Sequence, residues 1–143
     1  MMQEQQFSDV VDLIRKEDSR FGKGAYRFVQ EALDFTIRKR QEETPRPTTR
    51  HVTGQELLEG IREFALEQYG PMTKTLLSEW GIEVTLHFGE IVFQLIDYGI
   101  LGKTKEDSLE DFADGYDFEE AFCDPFLPES KRAKKSGRST DNN

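Results

Sequence analysis

A chain of 143 residues has the length to enclose one hydrophobic core of moderate size, not two. Its 28 acidic and 19 basic side chains leave a net charge of −9, which excludes a generally nucleic-acid-binding or lipid-binding surface and confines any such contact to a local basic segment. One cysteine, Cys123, excludes an internal disulfide. No apolar run approaches the roughly 20 residues needed to span a bilayer, so a cytoplasmic protein with no membrane partner is expected.

From the N-terminus, Phe7, Val10, Val11 and Ile14 fall at the spacing of one apolar helix face, closed by Arg15, Lys16 and Asp18. A turn-rich stretch over 18–24 leads to a second helix over 25–39, whose apolar side carries Phe28, Val29, Ala32, Leu33, Thr36 and Ile37. Pro45 and Pro47 lack amide donors and bias their predecessors toward extended geometry, which predicts an exposed linker near 41–52.

Thr53 and Glu56 have the spacing of a capping box, so a third helix starts there, with Leu57, Leu58, Ile61, Phe64, Ala65 and Tyr69 on its apolar face. Gly70 stops it and Pro71 opens a short fourth helix carrying Met72, Leu76, Leu77 and Trp80. Gly81 closes that helix, and Thr85 is placed to cap a fifth. This fifth helix has the strongest core signal: Leu86, Phe88, Ile91, Val92, Phe93, Leu95 and Ile96 surround most of its circumference, and Gly99 ends it. The predicted core is Phe28, Leu33, Leu57, Ile61, Phe64, Leu76, Trp80, Ile91, Val92 and Leu95.

Beyond Gly99 the helical period is lost. Leu109, Phe112, Tyr116, Phe118 and Phe122 recur among carboxylates, predicting a short hairpin or extended segment with a terminal helical turn. The fold expected is therefore mainly α with a small extended element (α+β): about five helices in one globular domain over 1–127. The order of the fourth and fifth helices and the segment after them makes a winged-helix-like arrangement the first guess. Residues 128–143 have almost no apolar side chains and read as a disordered basic tail.

Chemistry-bearing patterns are few. Gly102, Lys103 and Thr104 have the ending of a phosphate-binding loop, but Asp97 stands where its first glycine is needed. Aligning Gly115 with the glycine of a calcium loop puts Phe112 and Ala121 at ligand positions. His51, His87 and Cys123 have no metal-ligand spacing, and the carboxylate of Asp124 beside Cys123 disfavours a thiolate. No catalytic constellation emerges, so neither an enzyme nor a cofactor is expected. The fifth helix offers Glu90 and Asp97 beside His87 and Gln94, a set that repels DNA even on a winged-helix frame.

Two surfaces remain. Residues 83–124 carry two lysines against 12 carboxylates, and Asp107, Glu110, Asp111, Asp114 and Asp117 among the aromatics form a candidate docking ridge for a basic protein partner. Arg38, Lys39, Arg40, Arg46 and Arg50, together with Lys131, Arg132, Lys134, Lys135 and Arg138 in the tail, are the alternative, a set that could lie on nucleic acid or the ribosome or fold back on the acidic segment. A non-enzymatic protein-interaction or regulatory module is the preferred reading.

Longer runs carry a family resemblance. Asp18 to Phe21, Ala25 to Thr36, Arg50 to Leu58, Gly70-Pro71-Met72, Trp80-Gly81-Ile82, Phe88 to Phe93, Lys103-Thr104 to Phe112 and Tyr116-Asp117-Phe118 resemble a family of short planctomycete and verrucomicrobial proteins of unknown function. The resemblance covers about residues 7–122 and implies a bacterial cytoplasmic protein. It brings no activity with it.

Overall fold

A computed structural model describes residues 4–43, 52–102 and 108–128. Six α-helices occur in them: α1 (Glu4–Glu17), α2 (Lys23–Glu43), α3 (Gly54–Tyr69), α4 (Thr73–Glu79), α5 (Thr85–Asp97) and α6 (Phe118–Phe122). Three 3-10 turns, at Gly70–Met72, Leu109–Phe112 and Asp124–Phe126, complete the secondary structure of the described residues, which contain no strand. The fold is mainly α, as the periodicities predict.

The longest helices, α2 and α3, pack side by side, and Gly60 lets them approach until the Thr36 side chain fills the space where a Cβ would stand. Against this pair lies α5, whose Phe88, Ile91 and Leu95 are fully buried. Phe28 of α2 is the hub of the aromatic core, with the rings of Phe64, Tyr69, Trp80 and Phe88 within 5.6–6.4 Å of its centre. Such tilted ring contacts add about 0.5–1.5 kcal/mol per pair beyond the buried area.

Two of the predicted signals are present, the Thr53–Glu56 box and the Gly81 turn, whereas Pro71 lies in a 3-10 turn and α4 starts at Thr73. Thr53 Oγ1 accepts from the Glu56 amide at 3.1 Å while Glu56 Oε1 accepts from the Thr53 amide at 3.0 Å, the reciprocal bonds of a capping box. Gly81 has φ +87°, and its backbone lies against the Arg20 carbonyl, so a side chain there meets both strain and a clash.

Several expectations are corrected. In α4 it is Leu77 that is fully buried, while Met72 is 60% exposed and Leu76 only half-buried, because one face of this two-turn helix meets the core. Leu33 and Trp80 are also half-buried. The α5 N-cap is Val84, which makes no side-chain cap bond; Thr85 is the first helical residue and uses its hydroxyl elsewhere. The winged-helix guess finds no support, since residues 108–128 form 3-10 turns and α6 instead of a hairpin. Phe112 folds back onto Gly89 of α5, where a Cβ would stand 2.6 Å from its ring, so helix packing takes the place of strand pairing. Helix α2 runs four residues past its predicted end; the rest of the linker, 44–51, and the tail from 129 lie outside the described residues.

Candidate functional site

Of the five carboxylates expected to form one ridge, Asp111 lines one recess and Asp114 and Asp117 line another. Asp107 lies outside the described residues, and Glu110 is exposed on the Leu109–Phe112 turn. Asp111 closes a second capping box, its Oδ2 accepting from the Ser108 amide at 3.3 Å, and it faces an apolar recess on the α2–α3–α5 side. Asp117 is the N-cap of α6, with Oδ2 accepting from the Glu120 amide at 3.1 Å. Both carboxylates therefore serve as caps through one oxygen while keeping their charge at the surface.

The structure instead brings Asp114 and Asp117 together with Glu83, a residue from the other side of α5's start. The three carboxylates rim a groove of about 470 Å³ whose apolar lining includes Val84, Leu86, Tyr116 and Phe118. Val84 remains 49% exposed there.

The groove is held open by Thr85. Its Oγ1 donates to the Phe112 carbonyl at 2.7 Å and accepts from the Gly115 amide at 2.9 Å, pinning the 112–115 turn to the first turn of α5. Asp114 adopts φ +54°, a left-handed conformation that Asp and Asn tolerate better than most residues. Below the turn, Tyr116 donates its hydroxyl to the Leu58 carbonyl at 2.8 Å, and burial pushes its ionisation well above the ordinary tyrosine range. Phe118 is buried against Phe88 and Phe122. The aromatics thus anchor the segment and the carboxylates line its outer edge.

On the opposite side of the groove's floor, Glu83 is fixed from two directions. Its amide donates to His87 Nδ1 at 3.0 Å, and its Oε2 accepts from Ser78 Oγ at 2.9 Å. A neutral His87 therefore carries its proton on Nε2. Sequence reasoning did not place Glu83 and Val84 in the site because they precede α5 while the ridge follows it; the Thr85 bonds bring the two together.

The basic set is differently disposed. Lys39 pairs with Glu63, and Arg40 Nη1 lies 2.8 Å from Glu56 Oε1, so both cations tie α2 to α3. Arg38 is exposed, and Arg46, Arg50, Lys131, Arg132, Lys134, Lys135 and Arg138 lie outside the described residues. Cys123 is half-buried, and burial followed by the charge of Glu119 raises its thiol pKa, which disfavours a nucleophile. Among the described residues no three His, Cys, Asp or Glu side chains converge to hold a metal ion, and no helix is long and apolar enough to cross a membrane.

Comparison with protein-family models, with curated proteins and with solved structures finds no match to this chain. The groove must be read from its own chemistry.

Proposed function

We infer that this chain is a non-enzymatic protein-interaction module whose docking surface is the groove at the start of α5. The observation that supports this reading is Val84: a half-exposed aliphatic side chain that lines a concave surface together with the carboxylates of Glu83, Asp114 and Asp117. A carboxylate rim attracts a cationic segment and steers its approach, whereas an apolar foothold supplies contact that salt does not screen. The complementary partner is a protein segment with lysine or arginine flanking an aliphatic residue. Among the described residues that line the groove there is no Lys, Arg or His, so a nucleic acid does not complement this surface.

Fluorescence anisotropy with a labelled decapeptide of alternating lysine and leucine tests this reading. Binding is expected to weaken severalfold between 50 and 300 mM salt and to weaken comparably in the Asp114→Asn, Asp117→Asn double variant at low salt. Val84→Ser should lower affinity at all salt concentrations alike. Equal binding by wild type and both variants would sink the proposal.

A further inference from the structure

A second concavity, separate from the groove, lies where α2, α3 and α5 meet. It has a volume of about 240 Å³ and is walled by Leu33, Leu57, Val92, Ile96, Leu101 and Phe112. Protein interiors are close-packed, with few hollows larger than a water molecule. An apolar cavity of about 150 Å³ already accommodates benzene, and this recess, partly open to solvent, sets polar groups beside its apolar walls. The complement of this recess is therefore an apolar body larger than benzene, such as an alkylbenzene of about ten carbons.

Two glycines create the shape. The Leu109–Phe112 turn roofs the recess because Asp111 sits over Gly54, where a Cβ would meet Asp111 Cβ at 2.7 Å, and because Phe112 sits over Gly89. The roof also carries the polar chemistry. Asp111 is the one ionisable side chain among the described residues lining the recess, and its neighbour there is the Ser108 hydroxyl. An ionised carboxylate only accepts hydrogen bonds, so this side chain favours a cationic or donating head group over an anionic one.

We propose that the recess under the Leu109–Phe112 turn binds a small apolar amine, with the hydrocarbon body between α2, α3 and α5 and the ammonium on the Asp111 carboxylate. A fatty or aromatic carboxylate of the same size is disfavoured by the same charge. The charged groups of the two sites are distinct, since Asp111 lines the recess and Asp114 with Asp117 the groove.

Calorimetric titration of the full chain with three ligands sharing one body tests it: 4-butylbenzylamine, 4-butylbenzyl alcohol and 4-butylbenzoate at pH 7. The amine is expected to bind at one site and at least tenfold more tightly than the carboxylate, with the alcohol between them. Asp111→Asn, which keeps a side-chain acceptor for the Ser108 amide, should bring the amine down to the alcohol's affinity and leave the alcohol unchanged. Val92→Phe fills the recess and should abolish binding of all three; Ile96→Phe at the same wall serves if the first variant does not fold. Absence of saturable binding, equal affinity for amine and carboxylate, or full binding by a folded filled variant overturns the proposal. None of these outcomes depends on the lysine–leucine peptide, whose binding reads the groove alone.

Discussion

Thr36 and Gly60 meet so closely that a Cβ on the glycine would lie 1.8 Å from the threonine Oγ1. The hydroxyl donates to the Ala32 carbonyl at 2.7 Å within its own helix, so the glycine's role is to leave room, not to supply a partner. Ordinarily Gly→Ala in a helix interior gains up to about 1 kcal/mol. Here overpacking costs typically 1–3 kcal/mol and wins. Gly60→Ala should lower urea-unfolding stability by about 1–2 kcal/mol, and adding Thr36→Ala should restore part of the loss; simple additivity of the two changes would show that the helices can part freely.

Thr85→Val conserves shape and removes the hydroxyl that joins α5 to the 112–115 turn. It leaves the Phe112 carbonyl and the Gly115 amide without that partner. A buried group left unpaired costs about 1–3 kcal/mol. Gly115 is exposed and its amide can turn to water, so the loss expected by chemical denaturation is that of the carbonyl, about 1–3 kcal/mol, with Thr85→Ser close to wild type. The valine variant should also bind the lysine–leucine peptide more weakly, since the groove loses its hinge.

Much of the helical frame is written locally and is legible without coordinates. The Thr53–Glu56 box, the Gly70–Pro71 break and the Gly81 turn each follow from the chemistry of two or three adjacent residues. The C-terminal segment is not local in this sense. Phe112 is buried because Gly89, more than twenty residues earlier, has no side chain, and Tyr116 is held by a carbonyl on α3. Aromatic spacing alone cannot distinguish such a strap from a hairpin. The acidic ridge was legible as composition, yet its division into caps and groove rim depends on where Ser108 and Glu120 present their amides. Glu83 was legible only as one charge of the acidic segment, and its place in the groove with Asp114 depends on the turn.

The carboxylates of this segment should respond to asparagine and alanine differently. Asn caps a helix about as well as Asp and tolerates the left-handed backbone of Asp114. The Asp111→Asn, Asp114→Asn, Asp117→Asn variant should therefore melt within a few degrees of wild type. Asp117→Ala, by contrast, removes the acceptor for the Glu120 amide and should cost about 1 kcal/mol. If Asn and Ala were equally harmful, charge and not capping would be the operative property.

Alkaline pH should destabilise the fold through Tyr26. Burial, followed by the charge of Asp18, pushes this phenol up to about 12. Below the ordinary tyrosine value near 10 both states are protonated and its contribution is complete. Between 10 and about 12 the unfolded chain loses the proton first, so stability falls as pH rises through that window. Tyr26→Phe should shallow this slope while lowering stability at neutral pH by about 1 kcal/mol, because Gln94 Oε1 loses the hydroxyl that it accepts from at 2.7 Å. An unchanged alkaline slope in the phenylalanine variant would assign the effect to other tyrosines.

Arg20 joins the α1–α2 turn to α5 through two carboxylates, and removing it should expose their interdependence. Its guanidinium forks onto Asp18, with Nε and Nη2 at 3.0 and 2.8 Å from the two oxygens, and its Nη1 stands 2.8 Å from Glu90 Oε1. That Glu90 oxygen is shielded from solvent and makes no hydrogen bond of good angle, so the nearby positive charge is what compensates its burial. Arg20→Ala leaves this oxygen desolvated against nothing. An unpaired buried group costs about 1–3 kcal/mol, and the half-exposed arginine places the expected loss at the lower end, about 1–2 kcal/mol. Glu90→Gln removes the stranded charge, so the double variant should recover part of the loss, giving a coupling of at least about 0.5 kcal/mol. The acid limb supplies a second readout. Hydrogen bonding to Arg20 holds Asp18 below its ordinary value, so its contribution is complete above about pH 4 and is lost as pH falls through the lowered value. Arg20→Ala should therefore lose less of its remaining stability on acidification below pH 4 than wild type does. Additive single-variant losses together with parallel acid limbs would show that the turn is held to α5 without Arg20, by Gln94 Nε2 donating to Asp18 at 2.9 Å.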